Sequence, residues 1–375
     1  MRKVCYISGT RADFGLMQST LAVIRGHADL SLSMIVTGMH LSADHGHTVE
    51  EIEAAGLDIQ ARVPVPLTPA TGATMARNIG TMVTAFTDAL EAIRPDIVLL
   101  LGDRGEMLAG AIAGLHLNIP VAHIHGGELS GTVDEPVRHA ISRLSHLHFT
   151  ATEGSRDRLM RMGEAAGNVH VTGAPGLDGL TDSPPPHRTA IAQSHGLDPS
   201  RRFALMVYHP VLQEADAAAD HTRHILEALA RADVQVLALM PNADAGAEGV
   251  RKVLKMQERP GVVVKTHLAR PDFIAAMAAA DLMIGNSSAG IIEAASFGTP
   301  VVNVGPRQNM RERNANVADV DSSPVRLAEA IAAALDQGRF PAQNTYGDGQ
   351  AAKRIADLLA SAPLGPTLMM KVNGY

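Results

Sequence analysis

Short, unbroken aliphatic runs recur along this chain, and each stops abruptly at a glycine-rich or polar segment. Residues 97–101 read Ile-Val-Leu-Leu-Leu and are followed by Gly-Asp-Arg-Gly-Glu. Residues 3–8, 31–36 and 121–124 in the first half share this character, as do 203–207, 234–239, 262–265, 282–284 and 301–304 in the second. A strand that does not alternate apolar with polar residues has no solvated face, so it belongs in a parallel sheet covered on both sides. Helical patterns lie between the runs, over 16–25, 73–93, 106–117, 221–231 and 246–257, and 9–15 reads as a loop. The alternation predicts an α/β protein of two Rossmann-like, doubly wound domains with a cleft between them. Ligands of such sheets bind beyond the carboxyl ends of the strands, so function is sought in the polar segments there.

Three consecutive prolines within residues 181–188 cannot continue a helix or a central strand, which places the boundary nearby. We expect a first domain over 1–182, a second over 183–350, and a C-terminal helix and tail over 351–375 packing back on the first. Lys and Arg total 32 against 39 Asp and Glu, a formal charge of −7. That balance carries no strong basic footprint, and with no Trp and few aromatics the chain lacks base-stacking platforms. Nucleic acid is not expected as a partner. Cys5 is the only cysteine, which excludes an internal disulfide and a cysteine-built zinc site. No apolar stretch approaches the ~20 residues that span a bilayer. The expected setting is therefore cytoplasmic, with no membrane partner.

The polar segments at the strand ends carry the chemistry. Gly9-Thr-Arg11 follows the first strand, and Arg11 offers a planar fork for a phosphate. Asp103 and Arg104 follow the run 97–101. His123, His125, Glu128, Asp134, Glu135, Arg138 and His139 crowd the segment after residue 121. Strand alternation would put His123 and His125 on one face. Their H-x-H spacing alone is not specific for a metal, and none is expected. The paired carboxylates are more telling, because acid–base chemistry needs two such groups. In the second half, His209 precedes a proline at a strand end, and Asn242 and Asp244 lie at the next. The segment Gly285-Asn-Ser-Ser-Ala-Gly-Ile-Ile-Glu293 opens a helix after a strand. Ser287 and Ser288 there combine hydroxyls with free backbone N–H groups, the makings of a diphosphate site. Glu293 is spaced to accept the hydroxyls of a ribose, and Arg307 follows the next strand as a second cationic contact.

Taken in order, G-T-R-A-D, T-G-M-H-L-S, L-G-D-R, H-I-H-G-G-E, D-E-P-V-R-H, Y-H-P, P-N-A-D-A-G, G-N-S-S-A-G-I-I-E, G-P-R-Q and Y-G-D-G span nearly the whole chain. In this spacing the chain resembles the hydrolysing UDP-N-acetylglucosamine 2-epimerases, specifically their bacterial sialic-acid and legionaminic-acid branch. The resemblance implies the fold of the B-type nucleotide-sugar glycosyltransferases. It implies UDP held by the second domain with the sugar facing the first, no cofactor, and a homodimer or homotetramer. It assigns substrate binding to Arg11, Arg104, Asn242, Ser287, Ser288, Glu293 and Arg307, and catalysis to Asp103, Asp134 and His209. Many relatives carry Glu where this chain has His125, so His125 and Glu128 are both candidates for that acid–base role. The stretch after Arg307 lacks a glycine usual in relatives. The implied reaction is conversion of UDP-N-acetylglucosamine to N-acetylmannosamine and UDP by elimination and hydration, for sialic-acid-type biosynthesis. The alternatives are the same reaction on UDP-N,N'-diacetylbacillosamine, or a UDP-sugar glycosyltransferase of the same fold. A UDP-sugar sensor that leaves its ligand intact fits the clustered carboxylates poorly.

Overall fold

A computed structural model describes residues 1–182 and 187–372. Residues 183–186, which hold the three prolines and one side of the expected boundary, lie outside the described residues, as do 373–375 of the expected tail.

Two parallel sheets organise the molecule. The first contains β1 (Arg2–Ser8), β2 (Leu30–Thr37), β3 (Ile59–Val63), β4 (Ile97–Leu101), β5 (Val121–Ile124), β6 (Leu147–Thr150) and β7 (Val169–Val171). The second contains β8 (Phe203–Val207), β9 (Gln235–Leu239), β10 (Val262–Lys265), β11 (Leu282–Gly285), β12 (Val301–Val304) and β13 (Val317–Val320). Their orders, β3-β2-β1-β4-β5-β6-β7 and β10-β9-β8-β11-β12-β13, follow one plan. In each, the direction of winding reverses beside the domain's first strand, between β1 and β4 and between β8 and β11. Crevices open at such switch points, and both point into the space between the domains. The central strands β1, β4, β5, β8 and β11 are buried almost throughout, as their unbroken apolar sequences require.

Four strands were not legible as apolar runs. β3 and β13 are edge strands with partly exposed faces, and β6 and β7 carry a histidine each. The first helix also starts earlier than its apolar pattern: it spans Arg11–Gly26, so most of the expected loop 9–15 is helical. The cause is a capping box. Thr10 accepts a hydrogen bond from the Asp13 backbone N–H, and Asp13 accepts from the backbone N–H of Thr10 at 2.7 Å and of Gly9 at 3.0 Å. Asp13 further accepts from the hydroxyls of Ser8 and Tyr6, and is itself buried. Polar residues therefore began this helix by satisfying its free N–H groups rather than by joining its apolar stripe.

The C-terminal helix Ala351–Ser361 crosses back to the first sheet. Its Ile355, Ala356 and Leu359 enter one apolar cluster with Phe14, Met17 and Leu21. Beyond it, Lys371 donates to the carbonyls of Ser142 and Ser145 and pairs with the buried Glu164 at 2.8 Å.

Replacing Asp13 by Ala removes the cap and strands several buried donors. We expect a loss of about 2–4 kcal/mol, read as a lower midpoint in urea unfolding; a midpoint within error of the parent would refute this account of the helix start.

Candidate active site

A cavity of about 280 Å³ lies where the carboxyl ends of the two sheets face each other. Arg11, Asp103, Arg104, His125, Asp134 and Arg138 line it from the first domain. His209, Asn242, Ser287, Ser288, Glu293, Arg307 and Arg311 line it from the second.

The second domain's wall is built on contact between the ends of β8 and β11. Gly285 has φ +131°, and a Cβ there would lie 2.1 Å from the Val207 carbonyl oxygen, so only glycine permits this approach. Asn286 then clamps the two ends. Its side chain accepts from the His209 N–H and donates to the His209 carbonyl, both at 2.8 Å. His209 is thereby aimed at the cavity, and its Nδ1 accepts the Asn242 backbone N–H at 3.2 Å. The proton of the neutral ring must sit on Nε2. Burial, helped by Arg307, pushes the imidazole pKa down to about 3. In the free protein His209 is a neutral hydrogen-bond donor at physiological pH rather than a cation.

Ser287 caps the following helix, accepting the Ala289 N–H at 3.3 Å. That helix is short, Ser288–Ile292, and tightens into a 3₁₀ turn over Ala294–Phe297. The helix dipole is therefore small, and the anion donors are chiefly hydroxyls, terminal amides and nearby guanidinium groups. Arg307 donates to the Asn286 carbonyl at 3.0 Å and lies 3.9 Å from Asp134 across the cleft. Glu293 is buried and pairs with Arg270, whose guanidinium also donates to the Gly176 carbonyl at 2.8 Å.

In the first domain, Gly102 (φ +82°) turns the chain at the end of β4 and presents Asp103. The buried His123 sits behind this turn, with Nε2 at 2.7 Å from the Gly102 carbonyl and Nδ1 at 3.0 Å from the Ser142 hydroxyl. His123 does not line the cavity. The expectation of two histidines on one face fails because β5 ends at Ile124 and His125 turns out of the strand with φ +63°. The Asp103 carboxylate pairs with Arg138, which is fully buried, and lies 3.9 Å from Arg311.

Glu128 departs from the sequence expectation. Among the residues assigned to substrate binding or catalysis, it is the one absent from the cavity lining. It lies behind His125, whose Nδ1 it engages, and its other oxygen pairs with Arg311 of the second domain. Burial raises its pKa, but Arg311 and His125 outweigh this and bring it down to about 2. A carboxyl so held stays ionised and orients His125; it is not poised to deliver a proton. Arg311, Arg138, Arg270 and Asn286 escaped the sequence reading as site residues. Arg138 stood within a recognised cluster and Asn286 within the Gly285–Glu293 segment, and nothing local marked Arg270 or Arg311. Met310 has φ +67°. The backbone after Arg307 thus keeps a left-handed residue, the conformation glycine favours, without a glycine.

A family model described as UDP-N-acetylglucosamine 2-epimerase matches residues 22–360. The chain is 47% identical over 376 residues to the UDP-N,N'-diacetylbacillosamine 2-epimerase (hydrolyzing) of Legionella pneumophila, with 100% of both proteins covered. It is 34% identical to the UDP-N-acetylglucosamine 2-epimerase of Neisseria meningitidis serogroup B, over 96% of this chain and 95% of that protein. Among solved structures, the Methanocaldococcus jannaschii UDP-GlcNAc 2-epimerase in complex with UDP-GlcNAc and UDP superposes with a TM-score of 0.79 at 19% identity, covering 95% of this chain and 99% of that one. The S. aureus MnaA-UDP co-structure gives 0.78 at 19% identity, covering 96% of each. These likenesses establish the two-domain fold.

The Glu128 charge should be visible in acid stability. Its folded pKa lies below the ordinary 4.5, so its stabilisation is complete above about pH 4.5 and is lost as pH falls toward 2. Glu128→Gln should lower the melting temperature at neutral pH and flatten its decline over that acid range. An unchanged slope would show that the charge is not held as described.

Proposed function

Because the chain belongs to the UDP-N-acetylglucosamine 2-epimerase family, we propose that it is a hydrolysing 2-epimerase whose substrate is UDP-N,N'-diacetylbacillosamine. The observation that carries this reading is a cavity in which Ser287, Ser288 and Arg307 on one wall face Asp103 and Asp134 on the other. Full-length identity of 47% to the Legionella protein, against 34% to the Neisseria one, favours the diacetylated sugar over UDP-N-acetylglucosamine. With the latter the product would be N-acetylmannosamine.

The chemistry explains why both walls are needed. A C2 proton of a sugar is not acidic. It becomes removable as the C1–O bond to UDP breaks, because positive charge then builds at C1. The C1–O electron pair leaves with UDP, the C2–H pair becomes the C1=C2 bond, and a base takes the proton. Water then adds to the resulting 2-acetamido glycal, its oxygen to C1, while a proton returns to C2 from the opposite face.

Negative charge grows on the leaving diphosphate. Ser287, Ser288, Arg307 and Arg11 are assigned to meet it, with the His209 Nε2–H as an added donor. Glu293, held in place by Arg270, is assigned to the ribose hydroxyls. Asn242 and Arg104, linked through Asp244, support the nucleotide side of the cleft. Asp103 and Asp134 are the carboxylates assigned to move the C2 protons. His125 assists them, oriented by Glu128 as a histidine in a carboxylate-backed pair.

Asp103→Asn should lower turnover by at least about 10²-fold while calorimetry still detects UDP binding. An active variant would remove Asp103 from the proton transfers. The reading as a whole is tested by incubating the protein with each UDP-sugar in heavy water. NMR should show free UDP and a free manno-configured sugar carrying deuterium at C2, formed faster from the diacetylated substrate. Transfer of the sugar to an acceptor, or an intact UDP-sugar, would overturn it. Faster turnover of UDP-N-acetylglucosamine would overturn the substrate preference alone.

A further inference from the structure

Hydration of a glycal needs one water molecule, delivered after the sugar has lost UDP but while both remain enclosed. The main cavity is where the nucleotide sugar is proposed to bind, so a place for this water is sought beside it. A second, much smaller cavity of about 20 Å³ adjoins it. The two share Asp134 and Arg307 in their linings. A polar space of at least about 10–15 Å³ holds one water when two to four polar groups face it. Here Thr132, Asp134, Asp244 and Arg307 contribute polar groups, and Met75, Val133 and Val211 contribute apolar walls.

Leu212 is part of the lining of this small cavity. Leu212 also lines a wide surface hollow of about 610 Å³, bounded by Thr71, Glu214 and His221. It is 38% exposed and stands between the two spaces. Surface hollow, one-water cavity and active site thus form a series, with a carboxylate at the inner end. Thr132 is placed to orient a water toward that carboxylate: it is buried, and its hydroxyl oxygen already accepts the Asp134 backbone N–H at 3.4 Å. The hydroxyl's own proton remains available to a second oxygen.

We propose that this small cavity is the site of the hydrating water, held by Thr132 and Asp134 and replenished past Leu212 from the surface hollow. The water gives its oxygen to C1 of the glycal and its proton, relayed through Asp134, to C2 on the face opposite the one from which Asp103 took the first proton; the proton on Asp103 is lost to solvent as UDP leaves. The proposal rests on the elimination–hydration reading above and assigns its second half to a separate place in the fold.

Two variants test it. Thr132→Val keeps the volume and removes the hydroxyl that orients the water. Leu212→Trp narrows the mouth without touching the active-site wall. In each, the share of released 2-acetamido glycal among the sugar products, measured by NMR against UDP released, should rise by about threefold or more. Hydration of glycal added together with UDP should slow by a similar factor. General damage to the fold would lower UDP and sugar release together and leave the ratio unchanged. A parental ratio in both variants overturns the proposal. If the parent protein releases no UDP from either UDP-sugar, the epimerase reading fails instead, whatever the variants do.

Discussion

Arg311 reaches from the second domain into the first and neutralises two carboxylates there, pairing with Glu128 and lying 3.9 Å from Asp103. The rest of the site depends on this exchange. Glu128 and Arg138 are almost wholly buried, and an isolated charge at such depth costs several kcal/mol. Each is tolerated only because its partner arrives from elsewhere in the fold. Arg307 facing Asp134 and Arg104 facing Asp244 repeat the theme at the rim. The domains are thus matched by charge as well as by shape, and the carboxylates assigned to proton transfer owe their environment to both domains.

Rigid strand ends turn that matching into a site. Gly285 and Asn286 bind β11 to β8 so closely that His209 has one orientation and one tautomer. The His123 ring does a comparable task behind Gly102, holding the turn that presents Asp103. Neither arrangement uses a long flexible side chain, and preorganised donors of this kind need little rearrangement when charge develops. Both walls of the cleft carry cations and carboxylates, with Arg11, Arg104 and Asp103 on one side and Arg307 and Glu293 on the other.

Some of this was open to reading before any coordinates. Runs such as Ile97–Leu101 announced buried parallel strands, because a fully apolar strand has no other home. The polar residues after them marked the cavity wall, since doubly wound sheets place their crevices there. Glu128 shows where such reading stops. Its neighbours in sequence suggested an acid–base group, yet a guanidinium far along the chain made it a fixed anion behind His125. Arg270 and Arg311 carried no motif at all, and their meaning lies in the partners they meet. The start of the first helix failed for a related reason: Thr10 and Asp13 act by capping, which an apolar period does not register.

Local order along the chain determined the fold class, the twin plan of the sheets, and most of the residues that face the cleft. Each of those follows from burial of apolar strands and from polar segments confined to their ends. Tertiary structure alone decided which charges are paired, which histidine reaches the cavity, and how a water-sized space comes to adjoin Asp134. Electrostatic environment and enclosed volume are properties of groups brought together from distant parts of the chain, so no spacing within one segment can encode them by itself.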